Sequence, residues 1–169
     1  MADAQSCMNA QLEMAASATG AVNPTTNGPS VSDQLITLRE NTNNPSGTTF
    51  ANYTPALSAT YNLSNQQYTG VTGLTGIYAN GIVYGSNGAG STGALLYNTM
   101  GIVGSAAATN FSSTPYNTGT GISLTANYGV ELKLGARALQ NANVPLNGSY
   151  YYGDLTITFN QAVNYPILQ

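Results

Sequence analysis

Histidine and tryptophan are absent from this chain, cysteine occurs once, and only 5% of its residues are charged. Each shortage excludes something. Without histidine there is no Ser–His or Cys–His nucleophilic pair, and the commonest general base and metal ligand is missing. The single cysteine, Cys7, excludes an intrachain disulfide and a cysteine-based zinc site. It reads as small apolar filler or, more sharply, as a thiol that tethers one chain to another. The basic residues are Arg39, Lys133 and Arg137. Three scattered cations neither neutralise a nucleic-acid backbone nor hold an anionic membrane surface. No stretch of about 18–20 apolar residues is present, so no helix is expected to span a membrane. Met1-Ala2-Asp3-Ala4-Gln5 has neither the basic start nor the apolar run of a signal peptide, so an export signal is expected to have been removed ahead of this numbering.

What is present is an ordinary hydrophobic fraction, 42% of 169 residues, enough for one domain with a sizeable core. The surface must then be covered by Asn, Thr, Ser, Gln, Gly and Tyr. Such a surface has few charges to keep copies apart. It suits an exported protein or one built to polymerise.

The same composition is poor in strong helix formers and rich in strand and turn residues. Short segments alternate with period two between Gly/Asn/Pro clusters, which predicts antiparallel strands in a sandwich or barrel. Residues 8–18 place Met8, Ala10, Leu12, Met14, Ala16 and Ala18 on one face of a half-buried strand. Residues 20–29 form a loop, and Val31–Arg39 reads as a strand or a short helix. Tyr53–Leu63 alternates modestly. Tyr68–Tyr84 reads as a hairpin turning at Asn80-Gly81. A glycine-rich loop precedes an apolar strand over Ala94–Val103. Ile122–Tyr128 and Val130–Ala138 alternate, the latter with Glu131, Lys133 and Arg137 on its polar face. Asn141–Gly148 is a turn region. Tyr151, Gly153, Leu155, Ile157 and Phe159 then share one face of a final strand.

Little here carries chemistry. The six carboxylates, Asp3, Glu13, Asp33, Glu40, Glu131 and Asp154, sit in no catalytic motif and read as solvated surface groups. The run Tyr84-Gly85-Ser86-Asn87-Gly88-Ala89-Gly90 lacks the GK[ST] ending and following helix of a phosphate loop. No calcium-loop spacing occurs. Asn-x-Ser/Thr triplets at Asn52, Asn62, Asn110 and Asn147 are what this much Asn, Ser and Thr supplies by chance, and matter only where surface proteins are glycosylated. Twelve tyrosines fit sheet surfaces and subunit interfaces better than sugar platforms. The expectation is a non-enzyme without cofactor or metal.

The run Asn147-Gly148-Ser149-Tyr150-Tyr151-Tyr152-Gly153-Asp154-Leu155-Thr156-Ile157-Thr158-Phe159 resembles the ending of archaic chaperone–usher pilins related to spore coat protein U domains. Upstream, Val130-Glu131-Leu132-Lys133-Leu134-Gly135-Ala136-Arg137 is similar to the strand before that ending. The resemblance covers about 40 residues. It implies an all-β, immunoglobulin-like antiparallel sandwich, incomplete and completed by a donor strand from a neighbouring subunit. Residues 1–19 would be the N-terminal extension and 20–169 a single pilin-like domain. Met8, Ala10, Leu12, Met14 and Ala16 would be the donor side chains. Val130, Leu132, Leu134, Tyr151, Leu155, Ile157 and Phe159 would line the acceptor groove. The other reading of residues 8–18 is the first strand of their own domain.

The function so implied is a subunit of an extracellular, cell-surface pilus or fimbria that supports adhesion or biofilm formation. Its partners would be copies of itself, with a periplasmic chaperone and an outer-membrane usher assisting. Two other classes stand beside it. One is another self-assembling protein, such as a viral shell or tail component or an amyloid-type surface subunit. The other is a carbohydrate-binding tip adhesin. A long apolar N-terminal helix, the mark of a type IV pilin, is not present.

Overall fold

A computed structural model of the chain describes residues 12–15, 28–43, 49–85, 96–99, 128–163 and 166. Nine strands and two short helices are described: β1 Leu12–Met14, β2 Gln34–Asn41, β3 Phe50–Ala51, β4 Ser58–Ser64, α1 Gly76–Ala79, β5 Ile82–Tyr84, β6 Tyr97–Thr99, β7 Tyr128–Val130, β8 Leu132–Leu134, α2 Ala136–Asn141 and β9 Asp154–Phe159. Among the described residues the regular structure is mostly β-strand, and every ladder is antiparallel. The larger sheet runs β6-β7-β1-β2-β4-β9, with β3 also on β2, and β5 pairs β8 in a second, two-stranded sheet.

The eight-residue β2 is the hub. β1 pairs it on one side through Met14 and Leu38. On its other side, Gln34–Thr37 pair β4 and Glu40–Asn41 pair β3. The region Val31–Arg39, open between strand and helix in the sequence, is therefore strand from Gln34 onward. Alternation explains the choice: Gln34 and Ile36 are buried, while Leu35 is 59% exposed. The longest ladder joins β4 to β9 in six pairs, from Ala59–Phe159 to Ser64–Asp154.

Ile36, Leu63, Ile82, Tyr84 and Leu96 form the core, with Met14, Tyr61, Tyr128, Val130 and Leu132 packed against it. Residues from the larger sheet thus meet residues from the smaller one. Each fully buried aliphatic side chain there contributes roughly 1.5–3 kcal/mol.

Two expectations are corrected. Tyr68–Tyr84 is not a hairpin. Residues 76–79 form α1, and β5 pairs the distant β8. Asn80-Gly81 ends the helix, with Gly81 at φ +37°, a backbone region that glycine enters without steric cost. Val130–Ala138 is not one strand either. It breaks at Glu131 and becomes helix after Gly135. Glu131, placed by alternation on a polar face, is 5% exposed. Its N–H donates to Leu96 O (2.9 Å), and its carbonyl accepts from Gly85 N–H (2.9 Å). These bonds make it the point where the chain leaves the larger sheet for the smaller. Lys133 Nζ, 3.0 Å from Glu131 Oε1, meets the buried carboxylate.

Candidate functional site: the first and last strands

The first strand holds an interior place. Leu12, Glu13 and Met14 lie opposite Glu40, Arg39 and Leu38 of β2, and Met14 also lies opposite Tyr128 of β7. Both edges of β1 are therefore paired, one by the next strand, β2, and the other by the distant β7. Met14 reaches the core, and Ala15 just beyond is 3% exposed. Of the five expected donor side chains, Leu12 and Met14 stand in this slot of their own chain. Met8, Ala10 and Ala16 lie outside the described residues.

On the opposite face of β1, Glu13 is half-buried. Asn41 Nδ2 donates to its Oε1 at 3.1 Å, while its Oε2 is buried without a partner. Burial pushes the Glu13 carboxyl above its ordinary 4.5, and the Asn41 bond pulls the other way.

The seven expected groove residues do not converge on one place. Val130 and Leu132 pack on the core from β7 and β8. Leu134, at the end of β8, is 58% exposed. Leu155, Ile157 and Phe159 line β9, and β1, β2 and β4 stand between β7 and β9. Tyr151 precedes β9 and is 52% exposed.

β9 is an edge strand among the described residues. Leu155, Ile157 and Phe159 lie opposite Leu63, Tyr61 and Ala59, so they point to the core side of the sheet. Leu155 is nonetheless 40% exposed. At the start of β9, Asn65 Nδ2 donates to Asp154 Oδ2 at 2.8 Å. That bond, and a second from the Tyr151 hydroxyl, hold the Asp154 carboxyl below its usual range. The same contact with Asp154 raises the Tyr151 hydroxyl. Tyr152 meets Tyr68 edge to face, ring centres 5.5 Å apart.

Among the described residues no three His, Cys, Asp or Glu side chains gather as a metal site. No described helix is long and apolar enough to cross a membrane. Of the Asn-x-Ser/Thr triplets, Asn52 and Asn147 are exposed, while Asn62 Nδ2 donates to Asp33 Oδ1 at 2.7 Å. Asn110 lies outside the described residues. No family model, no curated protein and no solved structure matches this chain.

Proposed function

We propose that this chain is a structural subunit of an extracellular surface fibre, whose immunoglobulin-like fold is completed by strand exchange between copies. The observation that carries the reading is the seat of β1. A three-residue strand is held on both edges inside a sheet, by the following strand β2 and by the distant β7. Twelve residues, 16–27, separate it from the next described segment. A span of that length reaches at most about 40 Å, enough to seat β1 in a neighbour. Exchange of an identical element between copies keeps its contacts and joins the chains. Backbone bonds hold the inserted strand, and alternate side chains set its register. In a fibre that supports adhesion or biofilm formation, a chaperone and usher would present the slot to the next subunit.

The test is electron microscopy of the purified protein beside Leu12→Asp. Leu12 lies opposite Glu40, so the substitution sets two carboxylates face to face across the ladder, a destabilising pair. Fibres from the parent and none from the variant are expected. A synthetic peptide of residues 8–18 supplies a check independent of the variant's folding. Competing for the slot, it should shorten the parent's fibres. Fibres from both proteins, unaffected by peptide, overturn the reading and favour a shell-type subunit that packs without strand exchange.

A further inference from the structure

We propose that the edge of β9 left unpaired among the described residues pairs with β9 of a second copy, antiparallel, across a two-fold axis at Ile157. The hydrogen-bond pattern of the ladder selects this register. Asn160 N–H donates to Ser58 O at 3.1 Å. In an antiparallel pair, bonded and non-bonded positions alternate. Residues 154, 156, 158 and 160 therefore direct their backbone groups toward β4. Leu155, Ile157 and Phe159 direct theirs to the open side.

A second strand must use those three positions. Antiparallel pairing centred on Ile157 sets Ile157 against its own copy and Leu155 against the copy's Phe159. Each of these residues then exchanges an N–H and a carbonyl bond. All three side chains lie on one face, the face on which Leu155 is 40% exposed. Across the joint they continue the apolar row already formed by Leu63, Tyr61 and Ala59. On the other face Thr156 meets the copy's Thr158. Asp154 meets the copy's Asn160, so the only charged group in the strand faces no like charge.

Within the strand the guards are few, with Asp154 as its single charge. Asp154–Phe159 contains no lysine or proline, and its ladder with β4 is regular through six pairs. A regular edge with half its row apolar is a template for pairing. A two-fold joint uses the same patch on both copies and closes on itself. It needs no exchange of β1, so it stands or falls apart from the fibre reading.

The register makes a sharp test. Thr156 and the copy's Thr158 form a non-hydrogen-bonded pair, with Cα atoms about 4.5 Å apart, inside the range a disulfide bridges. In a Cys7→Ser background, Thr156→Cys and Thr158→Cys are made separately, then oxidised alone and mixed. Both residues are exposed on the outer face, so neither change touches the core. The mixture is expected to give a covalent dimer on a non-reducing gel, and each variant alone to remain monomeric there. Adding Ile157→Pro, which removes the central N–H at an edge position that tolerates proline, should abolish the dimer. Three results overturn the proposal: no dimer from the mixture, equal dimer from Thr156→Cys alone, or a dimer undiminished by Ile157→Pro.

Discussion

Three polar side chains, Glu13, Asp154 and Tyr84, show how single residues set the stability of this domain. Glu13 has one oxygen bonded to Asn41 and one buried without a partner. Its carboxyl is held above the ordinary 4.5, so the folded state binds the proton more tightly than the unfolded state does. The stability of seated β1 is therefore full below the unfolded value and declines as pH rises toward the folded one. Asp154 acts in the opposite sense. Its lowered value contributes stability that is lost as pH falls below about 3.8. Glu13→Gln should raise the melting temperature at pH 7 and flatten its decline between mildly acidic and neutral pH, as followed by circular dichroism. An unchanged profile would mean that Glu13 is solvated. Among the described residues Tyr84 is the largest fully buried side chain and its hydroxyl has no partner, and burial pushes that hydroxyl up to about 12. Removing an unsatisfied buried hydroxyl is nearly neutral or stabilising, whereas removing the ring leaves a cavity. Tyr84→Phe should hold or raise the urea midpoint, and Tyr84→Ala should cost about 3–5 kcal/mol.

Elements were legible where one period governed the whole segment. β9 alternates cleanly and is a strand, β4 lies within a segment of only modest alternation, and β2 stood open between strand and helix until its pairings settled it. The all-β class followed from the same alternation together with the shortage of helix formers. The segment after Val130 was not legible, because Val130, Leu132, Leu134, Ala136 and Ala138 continue a period of two straight into a helix. What decides that segment is tertiary. Glu131 is fixed by backbone bonds to Leu96, just before β6, and to Gly85, just after β5, and Gly135 then brings the chain against α1. A Cβ at Gly135 would stand 2.6 Å from Ile77 Cγ1 and 2.9 Å from Ile77 O, so only glycine allows α2 to begin there without displacing α1. Gly135→Ala should lower the unfolding free energy measured by urea titration by about 1–3 kcal/mol, an overpacking cost. No change would show that Ile77 yields freely. The place of β1 was illegible for a related reason. Alternation showed that residues 8–18 are strand-like, but the partners, β2 and β7, were set by pairings at long sequence separation. The place of β9 at the edge of the sheet among the described residues was equally hidden, since an edge is a property of neighbours.

At the scale of the whole molecule the governing fact is the 5% charge. Charged surfaces resist association, and their resistance weakens as salt shortens the screening length from about 10 Å at 0.1 M to about 3 Å at 1 M. This surface has little such resistance to lose. The two proposed joints, exchange of β1 and pairing of β9, would be made of backbone bonds and of the apolar side chains Leu12, Met14, Leu155, Ile157 and Phe159. Simple screening should therefore leave assembly almost unchanged, while a salt excluded from protein surfaces should promote it. The measurement is the fraction of protein sedimented in sodium chloride and in ammonium sulfate at matched ionic strength. A flat response to chloride and a rise with sulfate are expected. A steep response to chloride would instead place Asp33, Glu40 or another of the few charged groups inside a joint. The two joints then separate by variant: Leu12→Asp should remove the long fibres and leave the β9 cross-link intact, and Ile157→Pro should do the reverse. A variant that removes both would show that one joint is built on the other, with β1 seated before the β9 edge can pair.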